Sequence, residues 1–520
     1  MVRNQVNRVE HPSCDIPSVI GHVPESTGRT LILCFDGTGD SFDDDNSNVV
    51  EFFSMLDRDS PEKQLVYYQT GIGTTTHPGF WSPLMISLSK LVDKMFAWNI
   101  GTHVMDGYRF LMQNCTFPPN YNVSLSHSFA DRPDDRICLF GFSRGAYTAR
   151  VLGGMLHKVG LLPPGMTEQV KFAYDLYARS DIKSFADARV FKNAFCRQVR
   201  INIEFIGVWD TVSSVRDKKF FAFTANNLLV KTVRHAVALD ERRVKFKPNW
   251  WGIQTWDACK PELESGHNSK TDVQQVWFAG AHCDVGGGSV LNGTPHALSR
   301  IPLRWMIREC FVTKTGILFE AVKLRTAGLE PATLYPEVMK RNDARPDTTG
   351  RLIRAPETAT QMMKRHCDTW KPYENFQKDG STEALCSAQA KGPLPYGQVP
   401  IPKGMEMGDV FHYMLCHNKR IGDLTTEFVD EDHEDLGDCL SPYYDQYELK
   451  WWWKLLEFRF FRSLLWGSAH SPGERTIYED ALVHRSVKMR MESAGSEQHP
   501  STKYTPRAKT WPPKNIRWVD

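Results

Sequence analysis

Short apolar runs that end abruptly in small or polar residues recur along this sequence. The runs occupy residues 31–35, 65–68, 137–140, 201–208 and 273–278. Continuous apolar runs of this length are typical of strands that are buried on both faces of a parallel sheet. Helix-length stretches with helical spacing of apolar residues lie between them, at 96–114 and 146–162. The alternation predicts an α/β fold with a doubly wound, mostly parallel sheet.

The chain has 520 residues, of which 41% are hydrophobic, so it can bury a substantial core. We predict an N-terminal segment over 1–28 and one catalytic domain over 29–490, because the strand ends that carry the candidate site must share a sheet. A Pro-, Thr- and charge-rich insertion at about 330–403 is either a connector or a segment that shapes the substrate site. Residues 491–520 are polar and proline-rich, which predicts an extended tail.

Charge and cysteine usage narrow the function classes. The 63 Lys+Arg and 61 Asp+Glu nearly balance, and no dense basic block occurs, so we expect no nucleic-acid partner. The N-terminus lacks the apolar core of a signal peptide, and no apolar run reaches the roughly 20 residues of a spanning helix. The twelve cysteines include no Cys-x-x-Cys pair, which favours reduced core thiols. These features predict a cytoplasmic protein.

The most informative segment is 137–150, ICLFGFSRGAYTAR. A buried strand leads into Gly141-x-Ser143-x-Gly145 and then into a helix-forming run, which predicts a nucleophile elbow with Ser143 on a sharp, strained turn. The two glycines leave room for the neighbouring backbone. The Arg144 amide would lie at the positive end of the following helix, where it could bind an oxyanion. A glycine-rich turn without chemistry is the alternative.

A serine nucleophile needs a base and an acid, which follow it in the order Asp/Glu, then His, in α/β-hydrolases. Asp210 follows the run at 201–208, and His282 follows the run at 273–278 and precedes a glycine cluster. Both positions fit the acid and the base. His484, near the C-terminus, is the rival base, and either histidine could instead be a buried structural residue.

The first run ends in Asp36-Gly37-Thr38. In this kind of fold the second oxyanion donor comes from the loop after an early strand, so the N–H of Gly37 or Thr38 is a candidate. Asp36 could orient that loop through backbone hydrogen bonds. A plain turn at the end of the strand is the alternative.

Two further patterns have competing interpretations. His282 and Asp284, with Asp36 and the acidic run 43–45, could suggest a metal-dependent phosphatase, but the run lacks the calcium-loop pattern. We therefore predict no metal and no cofactor. The aromatic and basic segment 451–466, WWWKLLEFRFFRSLLW, is either a core helix or a helix that makes peripheral contact with a membrane.

Six motifs in order, at 34–50, 67–74, 139–150, 207–212, 234–248 and 276–288, resemble an uncharacterised α/β-hydrolase family. This family includes the catalytic domain of the first class of type VI secretion lipase effectors. The resemblance covers roughly 30–309 and implies an α/β-hydrolase fold, a triad of Ser143, Asp210 and His282, and phospholipase or other esterase activity. The chain departs from those effectors because it has no membrane-anchoring module or delivery signal of clear sequence.

Together these patterns predict a serine hydrolase that cleaves carboxylic esters of small molecules or lipids through an acyl-enzyme. Gly141, Gly145, Asp36 and Asp284 are expected to support the site. A catalytically inactive hydrolase fold that serves as a binding or scaffold protein is the competing class. The oligomeric state and the role of the insertion stay open.

Overall fold

The computed structural model describes residues 19–21, 28–37, 45–71, 85–116, 135–197, 201–212, 221–243, 246–252, 271–329, 331–334, 345–346, 352–353, 431–449, 473–492 and 504–519. For 85–99, 332–333, 345–346, 352–353 and 432–433, this description covers the backbone alone. Thr38, the aromatic segment 451–466 and most of the insertion at 330–403 lie outside the described residues.

An eight-stranded sheet forms the centre of the fold, and every neighbouring pair in it is parallel. Its strands are β2 (Thr30–Phe35), β3 (Gln64–Gln69), β4 (Arg136–Phe142), β5 (Ile203–Trp209), β6 (Val230–Ala238), β7 (Asp272–Phe278), β11 (Leu482–His484) and β12 (Arg517–Val519). They lie in the order β12-β11-β7-β6-β5-β4-β2-β3. The predicted doubly wound α/β fold is confirmed.

Short antiparallel pairs lie outside this sheet. They join β1 (Val19–Ile20) to β8 (Phe319–Glu320), and β9 (Arg345–Pro346) to β10 (Leu352–Ile353). The second pair and the 3₁₀ helix Pro331–Leu334 are the described parts of the predicted insertion.

Helices cover both faces of the sheet because successive strand residues point to opposite sides. On β2, Leu31, Leu33 and Phe35 pack in one cluster, whereas Ile32 and Cys34 pack in the other. The first cluster involves α2 (Met85–Asn114), α3 (Ser143–Val159), α4 (Gln169–Ala178) and α5 (Ile182–Phe195). The second involves α1 (Asn48–Met55), α7 (Arg300–Val312), α8 (Ala321–Thr326) and α9 (Glu431–Leu440).

The remaining described helices are α6 (His282–Gly286), α10 (Gln446–Leu449) and α11 (Arg485–Glu492). No helix among the described residues is long and apolar enough to span a bilayer. No disulfide joins the described cysteines, and all of them except Cys283 are buried.

Strand β6 was not predicted, because charged residues interrupt its apolar pattern. Its Arg234 is nevertheless buried, and its guanidinium contacts Glu309 at 2.5 Å and Asp272 at 2.6 Å. A buried cation is tolerated when carboxylates pair with it, and these partners come from α7 and β7. The sequence pattern alone does not show such pairing.

The prediction of an extended tail over 491–520 needs correction. Residues 517–519 form β12, the edge strand that pairs with β11. Trp511, Ile516 and Trp518 pack against a third cluster of buried apolar residues that includes Val237, Trp277 and Val483. Apolar burial outweighs the polar composition of this segment, and the C-terminal residues therefore extend the main sheet.

Candidate active site

The candidate site lies where the sheet changes winding direction. From β2 the chain adds β3 on one side, whereas β4 and the following strands extend the sheet on the other side. The carboxyl ends of β2 and β4 therefore flank a topological switch point, where open α/β sheets bind their ligands. Asp36 follows β2, and Ser143 follows β4.

Ser143 occupies a strained turn between β4 and α3. Its φ of 57° lies in the left-handed region, which is unusual for a residue with a side chain. A side chain would not fit at either glycine of this turn. A Cβ added at Gly145 would lie 2.2 Å from the carbonyl oxygen of Phe35, and one added at Gly141 would lie 2.6 Å from the backbone of Gly145. Only glycine lets β2, β4 and α3 approach this closely.

The structure brings Ser143, His282 and Asp210 together. His282 Nε2 lies 2.8 Å from Ser143 Oγ, and His282 Nδ1 lies 2.5 Å from Asp210 Oδ2. These contacts fit a neutral imidazole that donates from Nδ1 to Asp210 and accepts at Nε2 from the serine hydroxyl. The three residues are 6%, 3% and 0% exposed, respectively. The arrangement can transfer the hydroxyl proton to the imidazole.

The imidazole of His282 contacts two phenyl rings. The ring centroids of Phe142 and Phe246 lie 4.6 and 4.8 Å from that of His282. Burial lowers the pKa of His282, and Arg243 lowers it further, whereas the hydrogen bond and charge of Asp210 oppose the shift. The imidazole is therefore held in its neutral form, which a general base requires.

Asp210 accepts hydrogen bonds on both carboxylate oxygens. Its φ of 40° turns it away from the axis of β5, and the amide of Ala238 donates to Oδ1 at 2.9 Å. The guanidinium of Arg475 donates to Oδ1 at 2.5 Å and to Oδ2 at 2.8 Å. Burial alone would raise the pKa of Asp210, but Arg475 and His282 outweigh it and hold the pKa well below its usual range. The carboxylate stays ionised.

A second ion pair supports the loop that carries His282. The guanidinium of Arg243 donates to both oxygens of Glu241, at 2.9 and 2.8 Å. One of these oxygens also accepts the backbone N–H of His282 at 3.2 Å. The Arg243 guanidinium carbon lies 3.5 Å from the ring centroid of Phe246. This pair links the backbone of His282 to a ring that packs on its imidazole.

Asp284 fixes the turn around His282 through backbone donors. Its carboxylate accepts the amide of Ala281 at 2.9 Å and that of Tyr444 at 3.0 Å. Burial raises the pKa of Asp284 to about 7. The nearby Asp240 accepts the amide of Gly280 at 2.7 Å and the hydroxyl of Tyr504 at 2.6 Å. Residues near the C-terminus are thus tied to this turn.

The candidate oxyanion donors have different surroundings. The Gly37 amide donates to Asp36 Oδ1 at 2.7 Å, so that carboxylate already engages it. Asp36 also accepts the hydroxyls of Ser47 at 2.6 Å and Tyr68 at 2.7 Å, which suits a role in holding the loop. The Arg144 amide lies in the first turn of α3, next to Ser143. Helix N-termini direct their N–H groups toward bound anions.

His484 has a different environment. Its Nδ1 lies 2.9 Å from Ser486 Oγ, and its ring stacks on Phe278 at 4.8 Å. The hydroxyl of Ser143 contacts His282.

One group of described side chains has the donor set of a metal site, namely His296, Glu434 and Asp438. The guanidinium of Arg300 lies 2.8 Å from Glu434, 3.1 Å from Asp438 and 3.5 Å from His296. A protein cation therefore already contacts all three of these side chains. This group lies in the interface between α7 and α9.

Sequence reasoning did not identify Glu241, Arg243 or Arg475 as site residues. Glu241 and Arg243 lie in the motif at 234–248, whose order indicated a family but no role. Arg475 is 265 residues from Asp210 and has no distinctive neighbours in the sequence. No local signal could have identified it.

The family model described as "T6SS, Phospholipase effector Tle1-like, catalytic domain" matches residues 29–309. "Uncharacterized protein YEL023C" of Saccharomyces cerevisiae is 38% identical over 238 residues, which cover 43% of this chain and 32% of that protein. The match thus spans about a third of the length of this relative.

Two solved structures are also similar. An uncharacterised protein from Pseudomonas aeruginosa has 15% identity and a TM-score of 0.30, with 79% of this chain and 67% of that chain covered. The Tle1 effector bound to the VgrG spike of the type 6 secretion system has 16% identity and a TM-score of 0.29, with 52% and 53% covered.

Proposed function

The chain belongs to the Tle1-like phospholipase effector catalytic domain family, and from this premise we propose that it is a serine hydrolase that cleaves carboxylic esters of lipid-like substrates. The observation that carries the proposal is the pair of contacts that His282 makes with Ser143 at 2.8 Å and with Asp210 at 2.5 Å. Family membership supports the lipid class of the substrate.

The reaction begins at Ser143. Its Oγ attacks the ester carbonyl while His282 Nε2 takes the hydroxyl proton, and Asp210 stabilises the imidazolium that forms. The imidazolium then returns the proton to the leaving alcohol as the acyl-enzyme forms. Water repeats the sequence: His282 removes its proton, the resulting nucleophile attacks the acyl-enzyme, and the imidazolium returns that proton to Ser143 Oγ as the carboxylic acid is released.

The tetrahedral intermediate carries a negative oxygen that needs donors. The amide of Arg144, at the start of α3, is the first donor. The second belongs to the loop that begins at Gly37, whose amide would have to exchange its bond to Asp36 for the oxyanion. Thr38 stays a candidate of the same loop. We further propose that the catalytic unit includes β12, because this strand continues the sheet.

Covalent labelling with a fluorophosphonate probe tests the nucleophile and the base together. We expect folded wild type to react, and Ser143→Ala and His282→Ala to lose the reaction. Ser486 and His484 form a matched control, because their side chains also lie within 2.9 Å of each other and are buried. Ser486→Ala and His484→Ala should label like wild type.

Three outcomes would count against the proposal. Labelling that persists in Ser143→Ala would exclude Ser143 as the nucleophile. Loss of labelling in folded His484→Ala, with labelling retained in His282→Ala, would show that His484 rather than His282 is the base. Folded wild type that neither labels nor hydrolyses short-chain and phospholipid esters would favour the scaffold alternative.

A further inference from the structure

We propose that Arg475 is a positioning residue for the triad: it fixes the Asp210 carboxylate and reduces the negative charge that this carboxylate offers to His282. Arg475 lies beyond the family match at 29–309, so the C-terminal part of the chain completes the site. The inference rests on the proposed hydrolase function.

The guanidinium contacts both oxygens of Asp210 and two backbone carbonyls. Its Nη1 donates to Asp210 Oδ1 at 2.5 Å and to the carbonyl of Ala238 at 2.8 Å. Its Nη2 donates to Asp210 Oδ2 at 2.8 Å and to the carbonyl of Phe246 at 2.5 Å. The side chain is 1% exposed. A planar guanidinium with two parallel bonds to a carboxylate restricts that carboxylate to one orientation.

The backbone around Arg475 is held in place independently. The amide of Lys509 donates to the carbonyl of Arg475 at 2.7 Å, and Thr476 forms a bridge with Lys509. A Cβ placed on Gly473 would lie 1.4 Å from the carbonyl oxygen of Arg242, so this segment runs directly against the loop that carries Arg243. The guanidinium is therefore delivered to Asp210 by a fixed backbone.

The permanent positive charge of Arg475 changes the electrostatic effect of Asp210 on His282. A carboxylate that is already paired with Arg475 stabilises the imidazolium less than an unpaired one would, because the two charges oppose each other at His282. Among the described residues, the other charged or titratable groups that act on this pair include Arg243, Glu241 and His235, the last of which accepts the amide of Thr211, and Cys283 acts on Arg243. Farther out, Arg150 acts on His235.

The reaction needs neutral His282, so this arrangement should keep the site active at lower pH. When Arg475 is replaced by a neutral residue, the pKa of His282 should rise. The fraction of neutral imidazole then falls at pH 6 but changes little at pH 8. A residue that only supported the fold would slow the reaction equally at both pH values.

Fluorophosphonate labelling rates of the full chain at pH 6 and pH 8 test this. For Arg475→Met and Arg475→Gln, the ratio of the rate at pH 6 to that at pH 8 should fall below wild type by up to about sixfold, the change that a pKa rise of about one unit from the ordinary histidine value would produce. Arg475→Lys keeps the charge, so its ratio should stay within about twofold of wild type. Arg304→Met is the matched control, because Arg304 is also buried and pairs with Asp435, away from the triad.

Equal ratios in wild type and the folded neutral variants would overturn the proposal, as would a fall in Arg475→Lys as large as in Arg475→Met. NMR titration of ¹³C-labelled histidine, with the His282 signal assigned by its loss in His282→Asn, measures the same change in the pKa of His282 without relying on catalysis. If wild type does not label, the hydrolase proposal fails, while an unchanged His282 midpoint in the Arg475 variants separately excludes the effect on charge.

Discussion

Two buried carboxylates, Asp210 and Asp438, have the same kinds of partner. Asp210 contacts His282 Nδ1 at 2.5 Å, the amide of Ala238 at 2.9 Å and the guanidinium of Arg475. Asp438 contacts His296 Nδ1 at 3.0 Å, the amide of Ala297 at 3.1 Å and two guanidinium groups. Both carboxylates thus lie in a buried cluster with a histidine and at least one arginine.

The clusters differ in what lies beyond the carboxylate. At Asp210, the second ring nitrogen of the histidine faces the hydroxyl of Ser143. At Asp438, the histidine lies beside Arg300, and the interface between α7 and α9 surrounds the group. The same three residue types therefore form a candidate catalytic relay at Asp210 and a connection between two helices at Asp438. The nucleophile, rather than the ion pair, distinguishes them.

Asp284 shows what happens to a buried carboxylate whose hydrogen bonds come from backbone amides. Burial raises its pKa to about 7. Burial acts in the same direction on Asp210 and Asp438, but the neighbouring arginine and histidine residues lower the pKa of both. Contact with cations decides which of these carboxylates stays charged.

The largest expected difference between the two clusters is in the reaction rate after each aspartate is replaced by asparagine. Asp210→Asn should lower ester hydrolysis or fluorophosphonate labelling by about 10⁴-fold, because the imidazole loses its preferred tautomer and the support of its charge. Asp438→Asn should leave the rate per folded molecule within about twofold of wild type. Rates normalised to the folded fraction measure both. Similar rates for the two variants would remove the proposed distinction.

Breaking the ion pairs at Asp438 should mainly affect stability. Asp438→Ala leaves Arg300 and Arg304 without one of their buried carboxylate partners, and we expect the free energy of unfolding to fall by about 3–5 kcal/mol. Asp175→Ala, which removes an exposed pair with Lys171, should cost no more than about 0.5 kcal/mol. Urea unfolding at pH 7 measures both. Equal costs would mean that the buried cluster contributes no more than a surface pair.

The third prediction concerns the pH dependence of the free energy of unfolding, to which Asp284 should contribute. Its folded-state pKa of about 7 lies above the ordinary pKa of an aspartate, so its contribution to stability is present at low pH and is lost as pH rises through 7. Asp284→Asn cannot ionise. Relative to wild type, Asp284→Asn should therefore gain stability between pH 5 and pH 8. Its free energy of unfolding should increase by about 2 kcal/mol over that range.

Urea unfolding of both proteins at the two pH values gives this double difference directly. Parallel pH dependences in wild type and Asp284→Asn would show that Asp284 does not titrate in this range.

The sequence by itself determined the features that depend on neighbouring residues. The apolar run before Gly141 and the helical pattern after it were sufficient to place Ser143 on a turn between a strand and a helix. The positions of Asp210 and His282 at later strand ends were predicted for the same reason, since parallel strands bring their carboxyl ends to one edge of a sheet.

Tertiary structure decided the contacts that join distant parts of the chain. Strand β6 holds a buried Arg234 whose partners lie on other elements, and β12 lies within a segment of polar composition. Arg475 reaches Asp210 across 265 residues. Local patterns record which residues can be buried, but the pairing of a buried charge depends on which elements pack together. The position of Ser143 could thus be read from its own segment, whereas the arginine that holds Asp210 required the folded chain.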